Sequence, residues 1–275
     1  VLKIITPLFL ILLIFIQHTQ DSTFAAIFYG IACIINLICG YLWWQKYTPK
    51  KVKKVSYDST TLWKSSGPIW VSSIMNQIAL WSGQLVAGIY VSSQEVAQLA
   101  VARNITILIT FILVAVNNVS APRIATMWHN GQITKLKNYV RNTTWLMTLI
   151  AIPVTILVWF FPGFIMSFFG KGFSGGIWLL RILALGQLVS VITGTVANML
   201  VMCGFEKDLR NIRILNGILS VILVFVLTPI YGAIGSALAT AISMALFNLT
   251  CVFYVKKRLG FSTLALVWNF KKEVK

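Results

Sequence analysis

The chain has 275 residues, of which 58% are apolar and 11% charged, against roughly 25% charged in a soluble globular domain. Its formal net charge is +17, from 23 Lys and Arg against 6 Asp and Glu. The apolar excess excludes a soluble domain. The placement of the cations, in short segments between apolar runs, excludes a nucleic-acid binder with one basic face.

No charged residue lies between Lys64 and Glu95, between Arg141 and Lys171, between Arg181 and Glu206, or between Arg213 and Lys256. A bilayer core takes about 20 apolar residues as one helix. The last gap holds two spans, divided at Pro229-Ile230-Tyr231-Gly232. In chain order the predicted spans are 4–17, 24–44, 67–91, 98–119, 143–161, 177–203, 214–228 and 233–255. All are helical, because an open strand in lipid leaves its amides unpaired. The expected fold class is an all-α polytopic integral membrane protein with eight transmembrane helices. The chain begins at Val1, inside or just before a span, with no signal-peptide pattern. The expectation is an N-terminally truncated piece of a longer protein.

Lys and Arg gather on alternate connections: Lys46 to Lys64 after the second span, Arg123 to Arg141 after the fourth, Lys207 to Arg213 after the sixth, and the tail from Lys256. The opposite connections carry only Lys171, with Arg103 and Arg181 just inside two span ends. By the positive-inside rule the basic loops and the C-terminus are cytoplasmic. The segment 45–66 is the longest and most basic connection and reads as a linker between bundles of two spans (1–44) and six (67–258). A basic tail, 259–275, follows. Attraction of these lysines to anionic membrane lipids is a smaller effect compatible with the topology.

Enzymatic signatures are missing. His18 and His129 lie on opposite sides and cannot share a metal. Cys33, Cys39, Cys203 and Cys251 have no ligand spacing and read as small core residues. No catalytic residue, metal or cofactor is expected. None of the six acidic residues lies deep in a span, whereas ion-driven transporters usually keep an intramembrane carboxylate.

Polar residues inside the spans carry what remains. Arg103 sits just inside the fourth span, where burial costs from about 2.5 to more than 10 kcal/mol depending on the reference. It shares a helical stripe with Thr106, Thr110 and Asn117. The third span has Ser73, Gln77 and Gln84 on one face with Asn76 beside them, and the sixth has Gln187, Ser190, Gly194 and Asn198. Three such stripes predict a hydrated cavity with positive charge near its outer half. The candidate substrate-binding residues are Arg103, Arg181, Asn76, Gln77, Gln84, Thr106, Thr110 and Asn117. Two bland readings compete: Arg103 and Arg181 snorkel to the outer headgroups, and the amides and hydroxyls serve as interhelical hydrogen bonds. Small residues at four-residue spacing, Gly235, Ala239 and Ser243 with Ala237, Ala241 and Ala245, predict a close-packing face on the eighth span. Pro153 predicts a bend in the fifth.

Four segments carry a family resemblance. They are Ala121-Pro122-Arg123-Ile124-Ala125 through Asn130-Gly131 to Lys135-Leu136; Phe169-Gly170-Lys171-Gly172-Phe173 with the run from Leu179 to Gln187; Cys203-Gly204-Phe205-Glu206-Lys207 with Asn216 and Gly217; and the run from Pro229 to Thr240. In order and spacing these resemble O-antigen-type polysaccharide flippases of the multidrug/oligosaccharidyl-lipid/polysaccharide exporter (MOP) superfamily. The resemblance implies a two-lobe, MATE-like fold of twelve helices, of which this chain supplies the last eight. It implies that the intact protein flips an undecaprenyl-diphosphate-linked oligosaccharide across a bacterial inner membrane by alternating access. The substrate would be the lipid-linked glycan, with polysaccharide-assembly proteins as candidate partners. Arg103 and then Arg181 would bind it. An ion-coupled multidrug exporter of the same superfamily, or a non-transporting scaffold for glycosyltransferases, are the alternatives. A glycan polymerase or ligase is disfavoured by the short outer connections.

Overall fold

The computed structural model describes residues 22–48 and 59–263. Among these residues every regular element is helical. The chain divides into two compact units, Val1–Asp58 and Ser59–Lys275. In the first unit one helix is described, α1 (Ser22–Tyr47), which carries the predicted second span. The predicted span 4–17 lies outside the described residues, as do most of the linker lysines and the tail beyond Thr263.

The second unit contains α2 (Ser59–Tyr90), α3 (Ser93–His129), α4 (Ile133–Phe160), α5 (Pro162–Ser167), a 3-10 turn (Lys171–Gly176), α6 (Ile177–Thr193), α7 (Val196–Met202) and α8 (Glu206–Leu259). α2 starts before residue 67, so the end of the predicted linker is helical. α3 starts on a capping box. The Ser92 hydroxyl accepts from the Glu95 amide, and the Glu95 carboxylate accepts from the Ser92 amide at 3.1 Å. One of the few acidic residues is thus spent on a helix end. Helical backbone runs through Pro153 within α4.

The predicted sixth span is two helices. Gly194 takes φ 78° and ψ −151°, a region open essentially to glycine, and α7 resumes at Val196. The expected Gln187–Ser190–Gly194–Asn198 face is therefore broken between its third and fourth members. α8 folds back on itself at Gly232, at φ 59° and ψ −140°. Arg258 reaches Asp208 at 2.6 Å, although fifty residues of straight helix would span about 75 Å. The division predicted at Pro229–Gly232 is this reversal.

The small-residue face of the second arm of α8 is buried as expected: Gly235, Ala239 and Ser243 face inward. Ser236 donates to the Gly83 carbonyl of α2 at 2.7 Å. A Cβ on Gly186 of α6 would lie 3.0 Å from Ala241 Cα. The first arm meets α2 through Ser82 and Ser220, 3.3 Å apart. α2 packs chiefly against α8.

The inside-out pattern fits a bilayer. Thr106, Thr144, Ser220 and Ser236 are wholly buried, while Leu108, Phe111, Leu215 and Phe253 are exposed. Exposed apolar area on this scale is foreign to a soluble monomer. By length and apolarity four stretches among the described residues can cross a membrane: Ser93–His129, Ile133–Phe160, Gly172–Thr193 and the folded-back Glu206–Leu259. The count of eight spans remains a sequence expectation. The two larger apolar clusters of the unit centre on Leu99, Met147, Leu180 and Val191 and on Ile124, Leu136, Met199 and Cys251, and a small third one holds Val86, Val224 and Ala239. Between the two levels, α3, α4, the α6–α7 break and α8 carry Asn117, Thr144, Thr195 and Ser243.

Candidate functional site

Arg213 stands at this polar waist. It lies in the first arm of α8, a turn before Asn216 and two turns before Ser220, both buried. Its guanidinium donates to Asn76 Oδ1 of α2. The Cζ atom sits 3.7 Å from the centre of the Phe247 ring on the second arm. Stacking on an apolar ring while bonding to a neutral amide leaves the charge without an ion-pair partner among the described residues. Such a cation, partly desolvated, binds an anion more strongly than a water-exposed one.

Three cavities meet at Arg213 and Asn76. The largest, about 400 Å3, has Ser72, Ser73, Gln77, Asn198 and Glu206 on its wall. An inner one of about 290 Å3 is lined by Asn117, Ser190, Thr195, Asn198 and Asn248, among others. A small one of about 50 Å3 touches Asn216 and Ser243. Asn248 is tied down, donating to Ser190 Oγ and to the Met244 carbonyl, each at 2.8 Å. Asn117 Oδ1, Thr195 Oγ1 and Asn216 Oδ1 are buried with no hydrogen-bond partner in the protein. Buried polar atoms are nearly always satisfied, so these three are groups for an occupant, water or ligand, to meet.

The sequence-predicted residues divide. Asn76, Gln77 and Asn117 line these cavities. Gln84, Arg103, Arg181, Thr106 and Thr110 do not. Arg103 donates to Gln84 Oε1 at 3.4 Å and lies 4.4 Å over the Trp81 ring. Arg181 donates to the Trp159 carbonyl at 3.1 Å, with Trp159 and Trp178 rings at 5.6 and 5.1 Å. Thr106 is fully buried and donates to the Arg103 carbonyl at 2.8 Å, and Thr110 donates to the Ile107 carbonyl at 3.1 Å. Both hydroxyls are consumed by their own helix. Positive charge in these cavities comes from Arg213, which sequence reasoning placed among the loop cations after the sixth span. A signal was present: Arg213, Asn216 and Ser220 form a polar stripe at helical spacing, like the three that were noticed.

The arrangement offers hydrogen-bonding groups and one cation. Among the described residues no group of three His, Cys, Asp or Glu could hold a metal ion. Its donors are amides, hydroxyls and one guanidinium, the groups that replace water around a polar, anionic solute.

The MatE family model matches residues 68–230, more than half of the chain. The chain belongs to the MatE family. MatE proteins are transporters of the MOP superfamily, and with its apolar helices the chain is part of a multi-pass membrane protein. A curated Haloferax volcanii protein described as a probable low-salt glycan biosynthesis flippase is 26% identical over 234 residues, covering 82% of this chain and 49% of that protein. The fold is similar to a MATE crystal structure in the bent conformation, with a TM-score of 0.71 at 15% identity over 94% of this chain and 61% of that one. It is also similar to an outward-facing multidrug resistance MATE transporter of the MOP superfamily, with a TM-score of 0.67 at 15% identity. A Pyrococcus furiosus MOP superfamily transporter, described as having a binding pocket of reverse polarity, gives 0.66 at 16%. Both comparisons cover 94% of this chain and 62% of the other. At these identities the solved structures establish the MATE fold alone. The chain spans about half the length of the curated relative and about six-tenths of the solved transporters.

Proposed function

We propose that the intact protein flips a lipid-linked oligosaccharide, carried on undecaprenyl diphosphate, from the cytoplasmic to the outer face of a bacterial inner membrane. The basic loops and C-terminus face the cytoplasm, and the substrate serves surface-polysaccharide assembly, with the assembly proteins as partners. One observation carries the reading: the inner cavity at the level of the polar waist has a guanidinium, four amide side chains and no carboxylate on its wall. A glycan cannot cross hydrocarbon because its hydroxyls would lose water without replacement. Amides and hydroxyls supply the replacement, and Arg213 supplies a forked, charge-assisted partner for an anionic group. Asn76, Gln77 and Asn117 join Arg213 in this role, while Arg103 and Arg181 bind at a more peripheral level. The prenyl chain stays in lipid, and rocking of one lobe against the other changes which side is open. The likeness to a protein described as a glycan biosynthesis flippase supports the same substrate class.

The test is Arg213→Ala in the full-length protein, expressed in a flippase-null strain and assayed for surface glycan. Loss of one charge-assisted pair predicts at least a tenfold drop in export. Normal surface glycan with Arg213→Ala at wild-type abundance refutes the reading.

One observation favours cation export by a multidrug transporter. Glu206 stands on the wall of the 400 Å3 cavity, and a carboxylate is what a cationic drug or a coupling ion requires. Glu206→Gln with unchanged surface glycan and lost drug resistance would select that alternative.

A further inference from the structure

The chain turns back into the lobe where α8 ends. Gly260 closes the helix at φ 78° and ψ 5°, and its amide donates to the Lys256 carbonyl at 3.0 Å. This left-handed cap reverses the chain direction. Gly260 is exposed, but Phe261 and Thr263 are buried. Phe261 joins the apolar cluster of Ile124, Leu136, Val196 and Met199. Thr263 is wholly buried, and its hydroxyl donates to the Thr193 carbonyl at 3.0 Å, 70 residues away along the chain. Thr193 is the last residue of α6, at a helix end where carbonyls lack a partner within the helix. The segment after α8 therefore caps the break at Gly194 from outside the broken span.

The element on the other side of that break is α7. It has 7 residues and lies between Gly194 and Gly204, which take φ 78° and 84°. Its two faces meet different surroundings. Val196, Met199, Leu200 and Cys203, at i, i+3, i+4 and i+7, share the apolar cluster with Phe261. Ala197 and Asn198 line both of the larger cavities. Glycines at both ends absorb large backbone rotations at no steric cost, so so short a helix can turn as one body. Apolar packing holds α7 without fixing its direction. The Thr263–Thr193 bond is directional, and it seats the segment that covers the apolar face of α7.

We propose that Gly260–Thr263 is a strap that holds α7 as a closed panel of the cavity wall. Release of the strap lets α7 swing about Gly194 and Gly204 and widens the two cavities that share Ala197 and Asn198. The device goes beyond the transport reading, because it acts on the bore of the cavities whatever solute they take.

The test reads Cys203, which is buried on the apolar face of α7. Purified full-length protein is treated with N-ethylmaleimide, and the modified cysteine is quantified by peptide mass spectrometry. Thr263→Val keeps the side-chain shape and removes the hydroxyl. Loss of that one hydrogen bond raises the population with the strap released, so Cys203 is modified about fivefold faster. Thr263→Ser keeps the hydroxyl and reacts at the wild-type rate. Gly260→Ala is the milder second variant, because a methyl there meets nothing within 4 Å. It strains only the left-handed turn and also speeds Cys203 about fivefold. The control is the thiol introduced by Val191→Cys, which lies in α6 before the break and in the other large cluster. Its rate stays the same in every background. Equal acceleration of both thiols means general loosening of the lobe and overturns the proposal. So does an unchanged Cys203 rate in Thr263→Val and Gly260→Ala. Labelling involves no transport, so its failure leaves the glycan reading standing, and normal export by Arg213→Ala leaves the strap standing.

Discussion

Replacing Gly194 by Ala strikes the break that shapes the inner cavity. Two costs add. The backbone at φ 78° and ψ −151° is open essentially to glycine, and holding another residue there costs about 1–3 kcal/mol. The new methyl would also lie 2.2 Å from Thr144 Oγ1 and 2.9 Å from Thr144 Cγ2. Thr144 is wholly buried, with its hydroxyl bonded to the Val140 carbonyl at 2.8 Å. It has little room to move, and overpacking of this kind costs about 1–3 kcal/mol. The sum is about 2–6 kcal/mol, at least about 4 °C in apparent Tm for a domain of this size. The measurement is thermal unfolding of the full-length protein in detergent, followed by tryptophan fluorescence. A second variant divides the two costs. Thr144→Ala removes Oγ1 and Cγ2, so in the Gly194→Ala background it raises the unfolding temperature, while alone it lowers it. That change of sign is a coupling between neighbours. Gly194→Ala unfolding at the wild-type temperature, or Thr144→Ala lowering it equally in both backgrounds, would refute the account of the break.

Gly232→Ala meets the strain without the collision, since its nearest neighbour would be Val91 Cγ1 at 3.6 Å. It should cost about 1–3 kcal/mol and less than Gly194→Ala in the same unfolding assay. Ser236→Ala removes the 2.7 Å bond to Gly83 and should cost about 1 kcal/mol by thermal unfolding, leaving export intact. Arg103→Ala loses a long bond to Gln84 and the Trp81 ring contact, the latter worth about 0.5–1 kcal/mol at an exposed site. Surface glycan should remain well above the level of Arg213→Ala. An equal loss would put Arg103 back at the centre of the site.

What was legible followed from periodicity and from the cost of charge in lipid. The charge-free gaps located helices α2, α4 and α8, and the four-residue repeat of small residues on the second arm of α8 marks where backbones meet. Asn76, Gln77 and Asn117 were found because polar residues recur at helical spacing inside their spans. Thr106 and Thr110 share the stripe of Asn117, yet each hydroxyl bonds to its own helix, a competition that spacing cannot reveal. Arg103 was favoured because it sits just inside a span at the head of a polar stripe, but Gln84 and Trp81 of α2 take up its guanidinium. Arg213 was assigned to a loop because it ends a charge-free gap, and a gap edge says nothing about the direction of the side chain.

The sequence by itself determined that this is an all-helical membrane protein, where its chain reverses at Pro229–Gly232, and which segments resemble polysaccharide flippases. These are properties of single segments, set by the energy of placing each residue in lipid or in a helix. Only the tertiary structure decided that the sixth predicted span breaks at Gly194 and that Arg213 stands between Asn76 and Phe247 on a polar cavity. Both depend on what α2, α4 and the far arm of α8 bring alongside, and contacts between residues so far apart in the chain leave no trace in local periodicity.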